Sequence, residues 1–289
     1  AMAEQHTYLS IETRLLHRAG HAVPVLLRGY IQRDAQQQPQ RISGTLMDIS
    51  ESKRIEQLKS DFVSTVSHEL RTPLTSISGA LGLISGGALG AVPERMAPLL
   101  RIALHNSQRL SLLIDDLLDI DKLLAGKMTF DLQAQPLLPL LQEALSSNQA
   151  YAEQYQVSYC LQPGSDPLAC ARVDARRLQQ VLANLLSNAC KFSPPGACVE
   201  LSLERHGELL RVSVRDHGEG IPADFQARIF QKFSQADASS TRQKGGTGLG
   251  LAISKELIEH MHGQLGFVSQ LGQGACFWFE LPACACPPT

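Results

Sequence analysis

The sequence predicts an α+β chain of several domains: a β-sheet, then a long helical hairpin, then an α/β sandwich. Residues 1–50 contain runs typical of strands, separated by a turn signal and a Gln/Pro-rich stretch. An apolar period of three to four residues, typical of amphipathic helices, fills residues 51–126. Residues 127–289 mix both patterns without strict β-α-β alternation, so doubly wound folds lose support. These three ranges are the predicted domains.

Composition limits the partners that we expect. The chain has 289 residues, 44% of them hydrophobic and 19% charged, which is typical of a globular protein of about two domains. The net charge of −2 and the 5% share of aromatic residues argue against a nucleic-acid partner. No apolar run approaches the roughly 18 residues of a membrane helix. We therefore expect no membrane contact by this chain, and a membrane anchor in a longer parent protein stays open.

The seven cysteines are odd in number and include no Cys-x-x-Cys pair, which favours reduced thiols and a cytoplasmic location. A metal or redox pair at Cys284-Ala-Cys286 is less favoured than a frayed terminus.

The first range predicts three strands, at residues 8–16, 23–31 and 41–49, separated by a turn and a Gln/Pro-rich loop. Three strands without earlier partners leave an open sheet, which suggests a truncated domain. We expect these strands to be poorly ordered or to pair with strands of another chain.

The second range predicts two long helices. Apolar side chains recur on one face from Ile55 to Ile84 and again from Met96 to Leu124, with a Gly-rich break between them. Each helix has more apolar face than one partner helix can cover. We therefore predict a homodimer in which two hairpins form a four-helix bundle.

The third range predicts alternating short elements. Helices are expected at residues 136–149, 174–192 with Asp174 as N-cap, 222–230 and 248–260; strands at 155–161, 171–174, 198–205, 208–216, 263–269 and 274–281; and a Gly-rich loop at 234–246.

His68 lies about 200° around the first long helix from the apolar residue Val66, among polar neighbours. A solvated surface histidine is the plain alternative. A zinc motif His-Glu-x-x-His fails because the fifth residue is Thr72. The functional hypothesis is that the imidazole of His68 is a nucleophile and that the neighbouring carboxylate of Glu69 is its base. Pro73 lacks an N–H group, so we expect the helix to bend at this turn.

Three further patterns suit a nucleotide. Residues 246–250, Gly-Thr-Gly-Leu-Gly, fit neither the Rossmann fingerprint nor the P-loop, but they open a helix whose N-terminus can hold phosphate. In Asp216-His-Gly-Glu-Gly, the carboxylate could accept a hydrogen bond from the amine of adenine. An ordinary Asp-x-Gly turn is the alternative interpretation of this string. Asn184, Asn188 and Lys191 share one helix face, and an amide oxygen there suits Mg²⁺.

Together these residues resemble the catalytic core of a sensor histidine kinase of two-component signalling. The family's sequence motifs, called boxes, match in order. They are the H box at 62–73, the N box at 184–192, the first glycine box at 216–221, the F box at 230–233 and the second glycine box at 246–250. Residues 1–50 resemble the last three strands of a PAS domain.

The resemblance implies a dimeric phosphoacceptor hairpin followed by an ATP-binding domain of the gyrase, Hsp90 and histidine kinase type. His68 would take the γ-phosphoryl group of ATP and pass it to an aspartate of a response-regulator receiver, with Glu69 as base. Thr72 matches the position that orients water for receiver dephosphorylation. Asn188 would hold Mg²⁺.

The resemblance also implies a set of nucleotide-binding residues, which are Asn184, Asn188, Lys191, Phe192, Asp216, Gly218, Gly220, Phe233, Arg242, Lys244, Gly246, Thr247, Gly248, Leu249 and Gly250. Many family members carry an arginine soon after the F box, where this chain has Gln235, so Arg242 or Lys244 is expected to supply that charge. The string Phe-Ser-Gln-Ala-Asp resembles hybrid kinases, so the receiver is either a separate protein or a later domain. A degenerate kinase that only dimerises and binds nucleotide, and a different ATPase of the same fold, are the alternatives.

Overall fold

The computed structural model describes residues 6–33, 36–88, 90, 92–162, 169–234 and 247–286. The chain divides into two compact units, residues 1–72 and 73–289.

The described residues of the first unit begin with a three-stranded antiparallel sheet. Its strands are β1 (His6–Leu16), β2 (Ala22–Arg33) and β3 (Pro39–Asp48), in the order β1-β2-β3. All three predicted strands are confirmed, and they pair with one another. The outer edges of β1 and β3 have no neighbour among the described residues, so pairing with a further chain stays a prediction.

Two long helices follow, α1 (Ser50–Ser85) and α2 (Ala97–Leu124). The carboxylate of Asp48 accepts a hydrogen bond from the backbone N–H of Ser50, 2.8 Å away, at the start of α1. Pro73 lies inside α1, as the sequence predicts. In the second unit the end of α1 meets α2, where the hydroxyl oxygens of Ser78 and Ser107 are 2.6 Å apart. The predicted helical hairpin is confirmed.

Much of the apolar stripe of these helices is exposed in the single chain. The exposed members on α1 and α2 include Ile55, Leu58, Phe62, Val66, Leu70, Ile77, Leu99, Ile102, Leu110, Leu112 and Leu117. Small polar side chains such as Ser60 and Ser67 are buried instead.

In the described part of the second unit, seven strands form one sheet. They are β4 (Gln133–Pro136), β5 (Ser158–Leu161), β6 (Cys170–Val173), β7 (Cys198–His206), β8 (Leu209–Arg215), β9 (Gln264–Ser269) and β10 (Ala275–Cys284). The order is β4-β6-β10-β8-β7-β5, with β9 also paired to β10. The β5–β7 pair is parallel and the others are antiparallel.

Helices cover one face of this sheet. They are α3 (Leu137–Ser147), α4 (Gln149–Gln154), α5 (Ala175–Phe192) and α7 (Gly250–His260), while the one-turn helix α6 (Ala223–Gln226) buries none of its residues. Leu182 and Leu186 of α5, Leu257 of α7 and Phe279 of β10 are fully buried in one core. The predicted α/β sandwich is confirmed, and the end of α2 contributes Ile120 to the same core.

Several predicted boundaries change. The strand expected at 155–161 begins only at Ser158, because residues 155 and 156 form a turn after α4, with a left-handed φ of 57° at Gln156. The helix expected at 222–230 is reduced to α6, and residues 227–230 form turns. The helix expected from Gly248 begins at Gly250, because the φ of 70° at Gly248 is left-handed and cannot continue a right-handed helix.

The cysteines differ from expectation. The structure joins Cys160 to Cys198 and Cys170 to Cys286, so the prediction that the thiols are reduced is corrected for these four. Cys284 lies in β10 rather than in a frayed end. No helix in the described part of the chain is long and apolar enough to cross a membrane.

Candidate functional site

His68 and Glu69 form an exposed pair on α1. The imidazole Nδ1 lies 3.8 Å from a carboxylate oxygen of Glu69, and the two side chains are 76% and 79% exposed. An exposed ring can be approached by a second domain, and a carboxylate beside Nδ1 leaves Nε2 to act as the nucleophile. The hydroxyl of Thr72 donates to the carbonyl of His68 at 3.4 Å, within the same turn.

Asn184 and Asn188 lie one turn apart on α5. The Nδ2 of Asn188 donates to the Oδ1 of Asn184 at 3.3 Å, and the Nδ2 of Asn184 donates to the buried hydroxyl of Ser254 at 2.9 Å. Asn184 is therefore held between two helices, and this orientation leaves the amide oxygen of Asn188 available to a hard cation.

Gly250, the first residue of α7, lies against Asn184 of α5. A Cβ atom at this position would collide with the amide oxygen of Asn184. Only glycine lets the N-terminus of α7 come so close to the asparagine pair. The free N–H groups of a helix N-terminus bind anions, so the phosphates of a nucleotide fit here.

Lys191 and Phe192 end α5. The ammonium of Lys191 lies 4.9 Å from the centroid of the Phe192 ring, which remains partly exposed. Gly218 packs against this helix end, because a Cβ there would collide with the carbonyl oxygen of Phe192. The end of the N box and the first glycine box are thus in direct contact.

Asp216 is buried where β8 ends. Its Oδ1 accepts from the backbone N–H groups of Gly218 at 2.9 Å and Ala275 at 3.2 Å, while no described residue donates to its Oδ2. Burial raises the pKa of this carboxyl, and the two N–H groups and His217 oppose that rise. A fixed carboxylate with one unused oxygen suits the amine of adenine. Gly220 follows with a φ of 74°.

Thr247 and Gly248 lead into α7. The Thr247 hydroxyl accepts from the backbone N–H of Leu249 at 3.1 Å and donates to Asp116 of α2 at 2.8 Å. The N–H of Phe233 donates to the carbonyl of Gly248 at 2.9 Å, so the F box and the second glycine box meet. Phe233 itself is 67% exposed and has a left-handed φ of 61°.

Leu249 serves the core. Its side chain is buried there, and its N–H group is bonded to Thr247. Its contact with a nucleotide stays a prediction. Arg242, Lys244 and Gly246 lie outside the described residues.

The sequence reasoning missed Asp116 and Ser254. Asp116 stands in an acidic run on α2, which looks like an ordinary solvated face, and Ser254 lies in the middle of α7 with no motif around it. No sequence signal pointed to either residue, because their roles depend on contacts between distant segments.

Two family models match the chain. Residues 58–126 match the His Kinase A (phospho-acceptor) domain, and residues 173–285 match the histidine kinase-, DNA gyrase B- and HSP90-like ATPase. Fold and site therefore define a phosphoacceptor hairpin joined to an ATP-binding domain. The chain belongs to the sensor histidine kinases of two-component signalling.

Named relatives agree. The chain is 34% identical over 278 residues to the circadian input-output histidine kinase CikA of Synechococcus elongatus, covering 93% of this chain and 37% of CikA. It is 39% identical over 244 residues to sensor protein GacS of Pseudomonas syringae pv. syringae, covering 81% of this chain and 26% of GacS. Full-length ShkA, solved in complex with AMPPNP, matches with a TM-score of 0.63 and 32% identity, covering 79% of this chain and 47% of ShkA. The chain spans only 26–37% of the length of the two curated relatives.

Proposed function

We propose that this chain is the core of an ATP-dependent protein-histidine kinase that phosphorylates His68 and passes the phosphoryl group to an aspartate of a response-regulator receiver. The observation that carries the proposal is the meeting of Asn184, Gly250 and Thr247 at the N-terminus of α7, in a domain preceded by an exposed histidine-glutamate pair.

The transfer step uses the unprotonated Nε2 of His68 as nucleophile. Nε2 forms a bond to the γ-phosphorus while the bond from that phosphorus to the β–γ bridging oxygen breaks, and ADP leaves with the electron pair. The Nδ1 proton passes to the Glu69 carboxylate, which also orients the ring. Phosphoryl transfer depends mainly on positioning and charge neutralisation.

The nucleotide is proposed to lie between α5 and α7. Oδ2 of Asp216 accepts the adenine amine, and Phe192, at the end of α5, and Phe233, whose N–H bonds to Gly248, supply aromatic contacts to the nucleotide. Gly218 and Gly220 let the backbone pass the base, and the second glycine box, residues 246–250, holds the phosphates.

The residues present fit a magnesium ion shared with the phosphates, because Asn188 offers an amide oxygen and Lys191 stands at the same helix end. Mg²⁺ would neutralise phosphate charge there. Lys191 adds a point charge, and Arg242 or Lys244 supplies the charge that the F box lacks.

We also propose the domain limits 1–50 for the end of a PAS domain, 51–126 for the phosphoacceptor hairpin and 127–289 for the ATP-binding domain. The exposed apolar stripe on α1 and α2 supports a homodimer through this hairpin. Thr72 is proposed to assist dephosphorylation of the receiver, which is either a separate protein or a later domain.

The test is incubation with γ-labelled ATP and Mg²⁺. The chain should take up label that is acid-labile and alkali-stable, and His68→Gln should abolish it. As a matched control, His105→Gln changes another exposed histidine, on α2, and should keep the label. Label on His68→Gln would overturn the assignment, and nucleotide binding without any label would favour the degenerate module.

A further inference from the structure

Asp116 of α2 makes a contact that the proposed reaction does not use. Its Oδ2 accepts a hydrogen bond of 2.8 Å from the hydroxyl of Thr247, 131 residues further along the chain. The same hydroxyl accepts from the N–H of Leu249, next to the first residue of α7. The carboxylate of Asp116 is therefore tied to the turn at which we place the phosphates.

A second contact fixes α2 beside this point. Asp119, less than one helical turn further along, accepts from the amide of Gln180 at 2.7 Å and lies 3.4 Å from the guanidinium of Arg177. Both charged side chains are mostly buried. Ile120 and Leu123 of the same helix turn enter the core. Asp116 is thus held in place by a built interface rather than by a flexible surface pair.

The charge of Asp116 is costly where it stands. Burial raises the pKa of its carboxyl, and the carboxylates of Asp119 and Asp115 raise it further, while the hydrogen bond from Thr247 lowers it. The N-terminus of α7 offers a positive potential that favours any nearby anion. Without nucleotide, the positive potential at the N-terminus of α7 stabilises the carboxylate of Asp116. When nucleotide binds, its phosphates interact with the same potential and repel that carboxylate.

We propose that Asp116 is a built-in brake on ATP binding: its carboxylate holds Thr247 against α2, and the triphosphate must displace this contact. The contact and ATP compete for the same turn, so weakening the Asp116–Thr247 contact tightens ATP binding, and ATP in turn loosens the hold of α2 on the turn. The inference rests on the proposed function, because it assumes that the nucleotide phosphates lie at the turn from Thr247 to Gly250.

The experiment compares the binding of ATP, ADP and adenosine to the full chain by calorimetry in Mg²⁺ buffer. Asp116→Asn replaces the carboxylate with a neutral amide of the same size, which weakens the contact with Thr247 and removes the charge. It should bind ATP about fivefold tighter or more, ADP less so, and adenosine unchanged, because repulsion grows with the number of phosphates. Asp115→Asn removes the same charge at the exposed neighbouring position and should bind all three as the wild type does.

A second measurement needs no variant. Hydrogen exchange in a peptide covering residues 112–120 of the wild type should become faster with ATP than with adenosine, because ATP releases the contact on α2. Equal ATP affinity of wild type and Asp116→Asn, equal gains in Asp116→Asn and Asp115→Asn, or slower exchange with ATP would each overturn the brake. Failure of the wild type to bind ATP would instead overturn the proposed function, and the brake with it.

Discussion

The carboxylate of Asp216 is proposed to serve nucleotide binding, and its burial lowers the stability of the folded chain. Its carboxylate is buried with one oxygen bonded to two N–H groups, and burial raises its pKa. A raised pKa in the folded state means that the folded chain holds this proton more tightly than the unfolded chain. The stability that this proton brings is present at low pH and is lost as pH rises through the folded pKa.

Asp216→Asn should therefore weaken ATP binding by about tenfold or more, because the loss of a charged acceptor costs roughly 1.5–3 kcal/mol. Calorimetric titration with ATP measures this loss. Glu219→Gln, in the same loop but exposed, is the matched control and should bind normally. Unchanged ATP affinity in Asp216→Asn would remove Asp216 from the nucleotide site.

The same substitution should not lower the free energy of unfolding at neutral pH, since Asn keeps the acceptor for Gly218 and Ala275 and removes the buried charge. Urea unfolding of wild type and Asp216→Asn at pH 7 and pH 4 measures the difference, which should favour the variant more at pH 7. A larger advantage at pH 4 would contradict the sign of the pKa shift.

Glu69→Gln should slow phosphorylation of His68 by about 100-fold or more, because general-base assistance contributes that much. The initial rate of label uptake at saturating ATP measures it, and ATP affinity should stay unchanged, since Glu69 is not among the proposed nucleotide-binding residues. Glu51→Gln, exposed in the first turn of the same helix, is the control. A normal rate in Glu69→Gln would assign proton transfer to another group.

At the scale of elements, α5 was predictable because two signals agree. The predicted range of residues 174–192 matches Ala175–Phe192 with Asp174 as N-cap, since an acidic cap precedes a strongly amphipathic run. The short strand β4 was missed because four residues ending in proline carry too little pattern. Helix α6 is shorter than the predicted range 222–230. The residues that follow it, 227–230, form turns instead of continuing the helix.

Asp174→Ala should lower the free energy of unfolding by about 1–2 kcal/mol, since caps of this type contribute that much. The Asp174 carboxylate accepts from the N–H of Arg177 at 3.1 Å and also from the N–H of Asp131 at 3.1 Å, so two donors lose their partner. Urea unfolding measures the change. Asp224→Ala, in the short α6, is the control and should cost less.

The candidate site was predictable in its residues but not in its assembly. The spacing of Asn184, Asp216 and the glycines is visible in the sequence. The contact of Gly250 with Asn184, and that of Phe233 with Gly248, join segments far apart in the chain. No local pattern encodes such approaches, because they depend on how helices and sheet pack together.

At the scale of the whole molecule, the exposed stripe on α1 is the surface that the proposed homodimer would bury. Phe62 is 68% exposed in the single chain, and burying such a side chain in a bundle contributes roughly 1.5–3 kcal/mol. Phe62→Glu should therefore shift the protein toward monomer by at least about tenfold in dissociation constant. Sedimentation velocity over a concentration series measures this. Ser64→Glu adds the same charge on another face of the helix and should remain dimeric; a monomeric wild type would contradict the dimer.

The position of β10 has a consequence for how the protein is made. This strand runs to Cys284 yet lies inside the sheet, between β6 and β8, with β9 also paired to it. A chain still emerging from the ribosome therefore lacks the strand that holds both halves of the sheet together. Synthesis proceeds at about 5–20 residues per second, so α1 and α2 have several seconds in which to form before the ATP-binding domain can close. The helical hairpins of two chains can therefore pair before either chain has formed its nucleotide site.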